Sequence, residues 1–283
     1  MSQTAALYGF GFTRAFTAAG LDFRPITSDY LASKELARDP NTLHLTGTVS
    51  APKLSKSILF KLAGVLSFIE HLNVETSEPV EDGQGEVSVE DAFETALTAR
   101  RHNGGGAVVG EDAFNPWRAS RQMFIEKAMT HLEDEDFCKR TRFNSLLFKC
   151  VETFRQRSPF VDITYFLLIS GLEAFCRASQ SDYKSDAAPV VTRQLQAFGF
   201  EVFQDQPQAL PRAISTYFRL RNALFHQGDF EATVRLNEND VTLNISEYLF
   251  NLSMLISLTV MKAIGFDDGH TNWDCWIDRQ LHK

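Results

Sequence analysis

With 283 residues, 44% of them hydrophobic, the chain is long enough for one large domain or two ordinary ones and too apolar to be disordered throughout. Its formal charge of −8 argues against a non-specific coat on nucleic acid, which needs a basic surface to exchange with phosphate counterions. The four cysteines lack C-x-x-C spacing, the N-terminus lacks a basic flank and apolar run, and the longest apolar stretch, Leu249 to Ile264, is broken by Asn251, Ser253, Ser257, Thr259 and Lys262. These features lead to the expectation of a cytoplasmic protein with no membrane span.

The first fifty residues read as short strands: Leu7, Phe10, Phe12 and Phe16 sit among Gly and Thr, and Thr42 to Val49 alternates with a period of two. Leu54, Ile58, Leu62, Val65, Leu66, Ile69 and Leu72 then recur at helical spacing, with Ser55 or Ser57 as the N-cap. Val74 to Ser77 returns as a strand. An acidic, Gly-containing stretch follows, and Ser88 with Asp91 forms a capping-box-like start to a second helix, Val89 to Arg101. Residues 1–101 therefore make a small β-rich α/β domain. Residues 102–116, with four glycines and a closing Pro116, read as a linker; no Gly-Lys-Ser/Thr follows the glycines, so no nucleoside triphosphate loop is expected.

Beyond residue 117 the pattern turns helical. Met123, Ala128 and Leu132 lead to an acidic break at Glu133 to Asp136, then Phe143, Leu146, Leu147, Cys150, Val151 and Phe154 follow at three- and four-residue steps. Val161 to Arg177 is apolar on several sides and crosses the expected core. After a polar loop come a helix near Pro189 to Phe198 and another, opened by Pro211, that runs through Arg221 toward His226 and ends at Gly228. Glu231 to Leu236 and Val241 to Ile245 flank a polar turn as a small hairpin, and Ser246 caps a last long helix closed by Gly265. The expected fold class is α+β: residues 117–283 form an all-α bundle with a hairpin, preceded by the β-rich domain.

Arg219 to Gly228 carries the chemistry. The guanidinium of Arg221 is a fixed charge with a donor fork that matches phosphoryl oxygens, and imidazole, here His226, is the side-chain type that titrates nearest neutral pH. On a regular helix at ~100° per residue, Arg221 and His226 lie ~140° apart, Asn222 and His226 ~40° apart, and Arg219 and His226 ~20° apart. Asn222 and His226 thus share a face, Arg219 rivals Arg221 as a phosphate ligand, and Arg221 needs a distorted turn, a long reach or a partner chain. The structural alternative is that both arginines snorkel from a buried face of Tyr217, Phe218, Leu220, Leu224 and Phe225 while His226 caps the helix end. Glu173, on an otherwise apolar helix, calls for a basic partner, and an arginine of the motif helix is the expected one.

Between Phe137 and Arg157, Lys139, Arg140, Arg142, Lys149, Arg155 and Arg157 stand against Glu152 alone, as either a solvated face or a phosphate-steering one; Arg140, Arg142 and Lys149 are the candidate phosphate contacts. Histidines and cysteines show no metal-ligand spacing, so no metal and no cofactor are expected.

Arg221-Asn222-Ala223-Leu224-Phe225-His226 resembles the Arg-x4-His signature of the HEPN superfamily, small helical bundles many of which are metal-independent ribonucleases in bacterial toxin and antiphage systems. Leu167 to Arg177, with Leu172-Glu173-Ala174 at its centre, looks like the "LEA" helix of the ApeA-like antiphage group, and Arg221 to Gly228 is similar to that group's "RN…HGG" element. The match covers roughly residues 117–265. Gln227-Gly228 replaces the Gly pair, and no Tyr stands two residues after His226, which tells against the two-component antitoxin arrangement with nucleotidyltransferase partners.

The resemblance implies an endoribonuclease in which a 2′-hydroxyl attacks the adjacent phosphorus and leaves a 2′,3′-cyclic phosphate, with Arg221 and His226 catalytic, Asn222 positioning, and Glu173 and Arg219 supporting. It further implies a homodimer whose two motifs line one cleft, RNA as substrate, and a toxin or antiphage role in which the N-terminal domain senses or restrains activity and an antitoxin or a phage trigger is a further partner. Its alternative within the same family is a non-catalytic bundle serving as a dimerisation or RNA-binding adaptor.

Overall fold

The computed structural model describes residues 2–81, 92–98, 107–111, 119–156, 158, 160–236, 239–280 and 282. The chain is α+β and divides into two compact units, the first Met1–Asp134 with Phe154–Ser158 and Asp268–His270, the second Glu135–Thr153, Pro159–Asp267 and Thr271–Lys283.

In the first unit an antiparallel sheet runs in the order β2 (Phe16–Ala18), β3 (Leu21–Pro25), β4 (Thr42–Ala51), β1 (Gln3–Tyr8), β5 (Glu75–Thr76), with β6 (Val80–Glu81) also on β1 and β7 (Ala96–Thr98) on β4. The hairpin β2–β3 places Phe16 opposite Phe23, and their rings stack with centroids 4.5 Å apart. Where β1 meets β4, Gly47 is required: a Cβ there would lie 2.4 Å from the Phe12 ring. Helix α1 (Tyr30–Arg38) is capped by Asp29, and α2 (Lys56–Glu70) by Ser55, whose hydroxyl accepts from the Ile58 amide. On α3 (Ser120–Glu133), Phe124 stacks on Phe68 of α2 at 5.2 Å.

Two expectations change in this unit. Ala96–Thr98, foreseen as helix, pairs with Thr42, Leu43 and His44 because Leu97 and Phe93 cover the apolar cluster of Ala6, Tyr8, Leu43 and Leu45; the Ser88 cap lies outside the described residues. The expected linker is in part packed, since Val108 and Val109 are buried and the Val108 amide donates to the Ile69 carbonyl. The compact units accordingly part at Asp134/Glu135, beyond the Gly-rich run, because α3 buries Arg121, Phe124 and Ile125 with the first unit.

The second unit holds α4 (Glu135–Thr141), α5 (Phe143–Arg155), α6 (Val161–Gln180), α7 (Ala187–Ala197), a 3₁₀ turn (Leu210–Arg212), α8 (Ile214–Gln227), the hairpin β8 (Glu231–Leu236) with β9 (Asn239–Asn244), α9 (Ile245–Ala263) and α10 (Cys275–Asp278). Helix α6 is central and packs on α4, α7, α8 and α9, burying Leu168, Ile169, Leu172, Phe175 and Cys176. Gly171 of α6 faces α5, with the Lys149 side chain 3.4 Å from where a Cβ would sit, an ordinary van der Waals contact. The buried Tyr165 hydroxyl donates to the Tyr217 carbonyl at 2.8 Å, tying α6 to α8, and burial raises that phenol well above its ordinary value.

Local chemistry refines the expected boundaries. The acidic break expected at Glu133 to Asp136 is present at Asp134, the C-cap of α3, and Glu135 and Asp136 then open α4, where carboxylates complement the helix dipole. Pro211 sits in the 3₁₀ turn ahead of α8, and Asn244, not Ser246, caps α9 by accepting from the Ser246 amide at 2.9 Å. Among the described residues no helix is long and apolar enough to cross a membrane.

Candidate active site

Helix α8 buries Ile214, Tyr217, Phe218, Leu220 and Ala223 and stays regular to Gln227. Gly228 ends it in the left-handed region at φ 76°: its amide donates to the Leu224 carbonyl at 3.0 Å and the Asp229 amide to Ala223 at 3.3 Å. The backbone thus satisfies the Ala223 and Leu224 carbonyls, and the His226 side chain donates to none of the carbonyls at the helix end. It is exposed, with no hydrogen bond or ion pair to the described residues. A regular helix also leaves Arg221 and His226 ~140° apart, so one chain does not bring them together.

Arg221 points the other way, against α6. Its Nη2 lies 3.5 Å from Glu173 Oε2, its Nη1 donates to Asn222 Oδ1 at 3.0 Å, and its guanidinium lies over the Phe225 ring at 5.1 Å. The ion pair expected of Glu173 is therefore present, with Arg221 as the partner. Glu173 is also held from its own helix, four residues on, by Arg177 Nε at 2.8 Å. The result is a chain of contacts Arg177, Glu173, Arg221, Asn222 along the α6–α8 seam.

Two clefts open beside this chain. One, of about 560 Å³, is lined by Arg142, Asn144, Ser145 and Ser170; the other, of about 620 Å³, by Lys184, Asp186, Phe218, Arg221 and Asn222. Glu173, Arg177 and Tyr183 line both. Pockets of this size, with a few convergent polar groups, are the usual form of a ligand site.

The remaining candidates separate. Arg142 lines the first cleft from a left-handed backbone position, φ 59°, where α4 hands over to α5. Lys149 donates to Ser170 Oγ at 3.0 Å, and desolvation holds its ammonium below the ordinary lysine value. Arg140 is exposed and lines neither cleft. Arg219 pairs with Asp205 at 3.2 Å and also lines neither, so of the two arginines of the motif helix it is Arg221 that lines a cleft, the second.

Comparison with protein-family models, curated proteins and solved structures finds no match to this chain. The site must therefore be judged on its own chemistry. Nucleophilic thiol chemistry is unsupported at Cys150 and Cys176, since burial pushes the Cys150 thiol up to about 12 and raises Cys176 further, leaving both protonated. Among the described residues no His, Cys, Asp and Glu group is arranged to hold a metal ion. What the arrangement offers is guanidinium and amide donors facing open clefts, with an imidazole on an exposed face of the same helix.

Sequence reasoning missed Arg177, Tyr183 and Lys184. The first carried a signal, its position four residues after Glu173 on a helix where that carboxylate needed a partner. The other two sit in a polar loop with no periodicity to mark them.

Proposed function

We propose that the second unit is a HEPN-like domain acting as a metal-independent endoribonuclease, an effector of a toxin or antiphage system. The observation that carries this reading is the fixing of Arg221 by Glu173 beside open clefts while His226 stands unengaged on the exposed face. In the reaction, the RNA 2′-hydroxyl attacks the adjacent phosphorus, the bond to the 5′-oxygen breaks, and a 2′,3′-cyclic phosphate is left. One imidazole takes the 2′ proton, a second protonates the leaving oxygen, and Arg221 with Asn222 donates to the phosphorane oxygens. Each chain supplies one His226, so acid and base come from two copies in a homodimer. Support for that pairing comes from exposed Ile163 and Phe166 on α6, the latter ring 5.0 Å from Phe225 beside the motif.

Purified protein in EDTA is expected to cleave RNA to 2′,3′-cyclic phosphate ends, with Arg221→Ala and His226→Ala each losing at least about 100-fold in rate. Cleavage unchanged in both variants would sink the reading. The separation of Arg221 from His226 on one chain favours a second reading, a non-catalytic adaptor that dimerises or binds RNA. RNA binding that survives His226→Ala, with no cleavage by the wild type, would establish that reading instead.

A further inference from the structure

Tyr183 and Phe160 are the two most exposed aromatic side chains among the described residues of the second unit, and of the two only Tyr183 lines the clefts. It is 67% exposed, and neither ring nor hydroxyl makes a hydrogen bond or ring contact with the described residues. The loop that carries it is nonetheless tied down. Ser181 closes α6 at φ 53°, and Arg177 Nη1 donates to the carbonyls of Asp182 at 3.3 Å and Ser185 at 2.9 Å. The Asp182 carboxylate accepts from the Lys184 and Ser185 amides at 3.3 and 3.0 Å and from Arg193 at 2.6 Å. A large ring is therefore held out into solvent on a fixed support, at the junction of the two clefts, with little ordering left to pay for on binding.

Charge around it fits a polyanion. Arg142 flanks one cleft, Lys184 and Arg221 the other, and Arg177 stands between, against Glu173 and Asp186, on a chain whose net charge is −8. Cations along a groove with an exposed ring between them are the elements by which proteins hold unpaired nucleic acid: backbone phosphates meet the cations and a base stacks on the ring. A duplex offers no such fit, because its bases are already stacked and paired inside. Small-molecule sites enclose their aromatic rings, whereas this one projects.

We propose that the two clefts form one binding track for single-stranded RNA, with a base stacked on Tyr183. This rests on the ribonuclease reading and narrows its substrate class to unpaired RNA. Arg142, Arg177 and Lys184 hold backbone phosphates on either side of the stacked base, and Arg221 lies on the track at the phosphate to be cut. Arg177 has two duties, since the same guanidinium that lines both clefts also fixes the loop.

The test uses the full chain and a fluorescein-labelled 2′-O-methyl RNA of about 12 nucleotides, which binds but lacks the attacking hydroxyl. Tyr183→Ala is expected to weaken binding roughly 10-fold while Tyr183→Phe keeps it, because stacking needs the ring and not the hydroxyl. Arg142→Asn, chosen because Asn tolerates the left-handed backbone, is expected to weaken binding and flatten its salt dependence. A duplex of the same sequence is expected to bind more weakly than the single strand. Wild-type affinity in Tyr183→Ala, or equal affinity for the duplex, overturns the proposal, and so does displacement of the RNA by an acidic peptide at equal concentration. Cleavage of unmodified RNA is read separately. If the wild type cleaves while Tyr183→Ala binds normally, the track falls and the ribonuclease reading stands. If Tyr183-dependent binding occurs without cleavage, the track stands and the ribonuclease reading falls.

Discussion

Glu70 in the first unit and Glu173 in the second each face two arginines, and the two clusters differ in what surrounds them. Glu70 meets Arg121 at 2.6 Å and Arg38 at 3.7 Å and accepts the Gly11 amide at 3.1 Å, while Arg121 also donates to the Gly11 carbonyl and lies over the Phe10 ring. Glu70 and Arg121 are each 2% exposed; the cavity that both line holds about 10 Å³, too little for more than a water, and a separate cleft of about 300 Å³ is lined by Arg121 but not by Glu70. Glu173 and Arg177 are 18% exposed, Arg221 is 30% exposed, and clefts of about 560 and 620 Å³ lie alongside. The same residue types thus make a sealed clamp in one place and an open array in the other. Composition alone does not separate them; the space left for a ligand does.

That contrast is broken most severely at the sealed cluster. Glu70→Ala leaves Arg121 buried without its counter-charge and is expected to cost about 3–5 kcal/mol, read as a lowered urea midpoint. Adding Arg121→Met removes the orphaned charge and should recover much of the loss. By contrast, Glu173→Ala should cost about 1 kcal/mol, since its partners remain partly solvated. Equal losses at the two glutamates would show that the open cluster is as structural as the sealed one.

The sequence revealed the outer frame of this contrast better than its content. Period-two alternation in Thr42 to Val49 and helical recurrence from Leu54 to Leu72 marked β4 and α2, although Leu45 to Val49 and Leu62 to Glu70 are buried throughout and not on one face alone, and the carboxylate of Glu173 on an apolar helix correctly demanded an arginine. The sealed cluster went unseen. Glu70, Arg121 and Gly11 are far apart in sequence, and charged residues at the end of one helix and the start of another look like solvated caps until tertiary packing closes over them. The strand at Ala96–Thr98 was hidden for a related reason: its pairing with β4 is long-range, whereas the helical cue nearby is local. The relation of Arg221 to His226 was legible as an angle, and the regular course of α8 keeps that angle.

A sharper probe of the open cluster separates positioning from stability. Glu173→Gln keeps size and hydrogen-bonding capacity but removes the charge that holds Arg221, so kcat for RNA cleavage is expected to fall about 10-fold with KM little changed. The urea midpoint should stay near that of the wild type. A change in KM alone would mean that Glu173 shapes binding of the strand and not the group acting at phosphorus, and it would move the Arg221 guanidinium out of the transition state.

The smallest effect concerns the loop that presents Tyr183. Hydrogen bonds from the Ser185 amide and hydroxyl, then from the Lys184 amide and Arg193, hold the Asp182 carboxyl down to about 2. A folded value below the ordinary carboxylate one means the stabilisation is full above pH about 4 and is lost as pH falls toward about 2. Hydrogen exchange at the Ser185 amide, corrected for intrinsic rates, should therefore lose protection across that window in the wild type. Asp182→Ala should show low protection at every pH, with the urea midpoint unmoved because the loop is peripheral. Protection independent of both pH and Asp182 would leave Arg177, through its bonds to the Asp182 and Ser185 carbonyls, as the sole anchor. Loop order and the Glu173 contact would then depend on one guanidinium, and Arg177→Ala would abolish both at once.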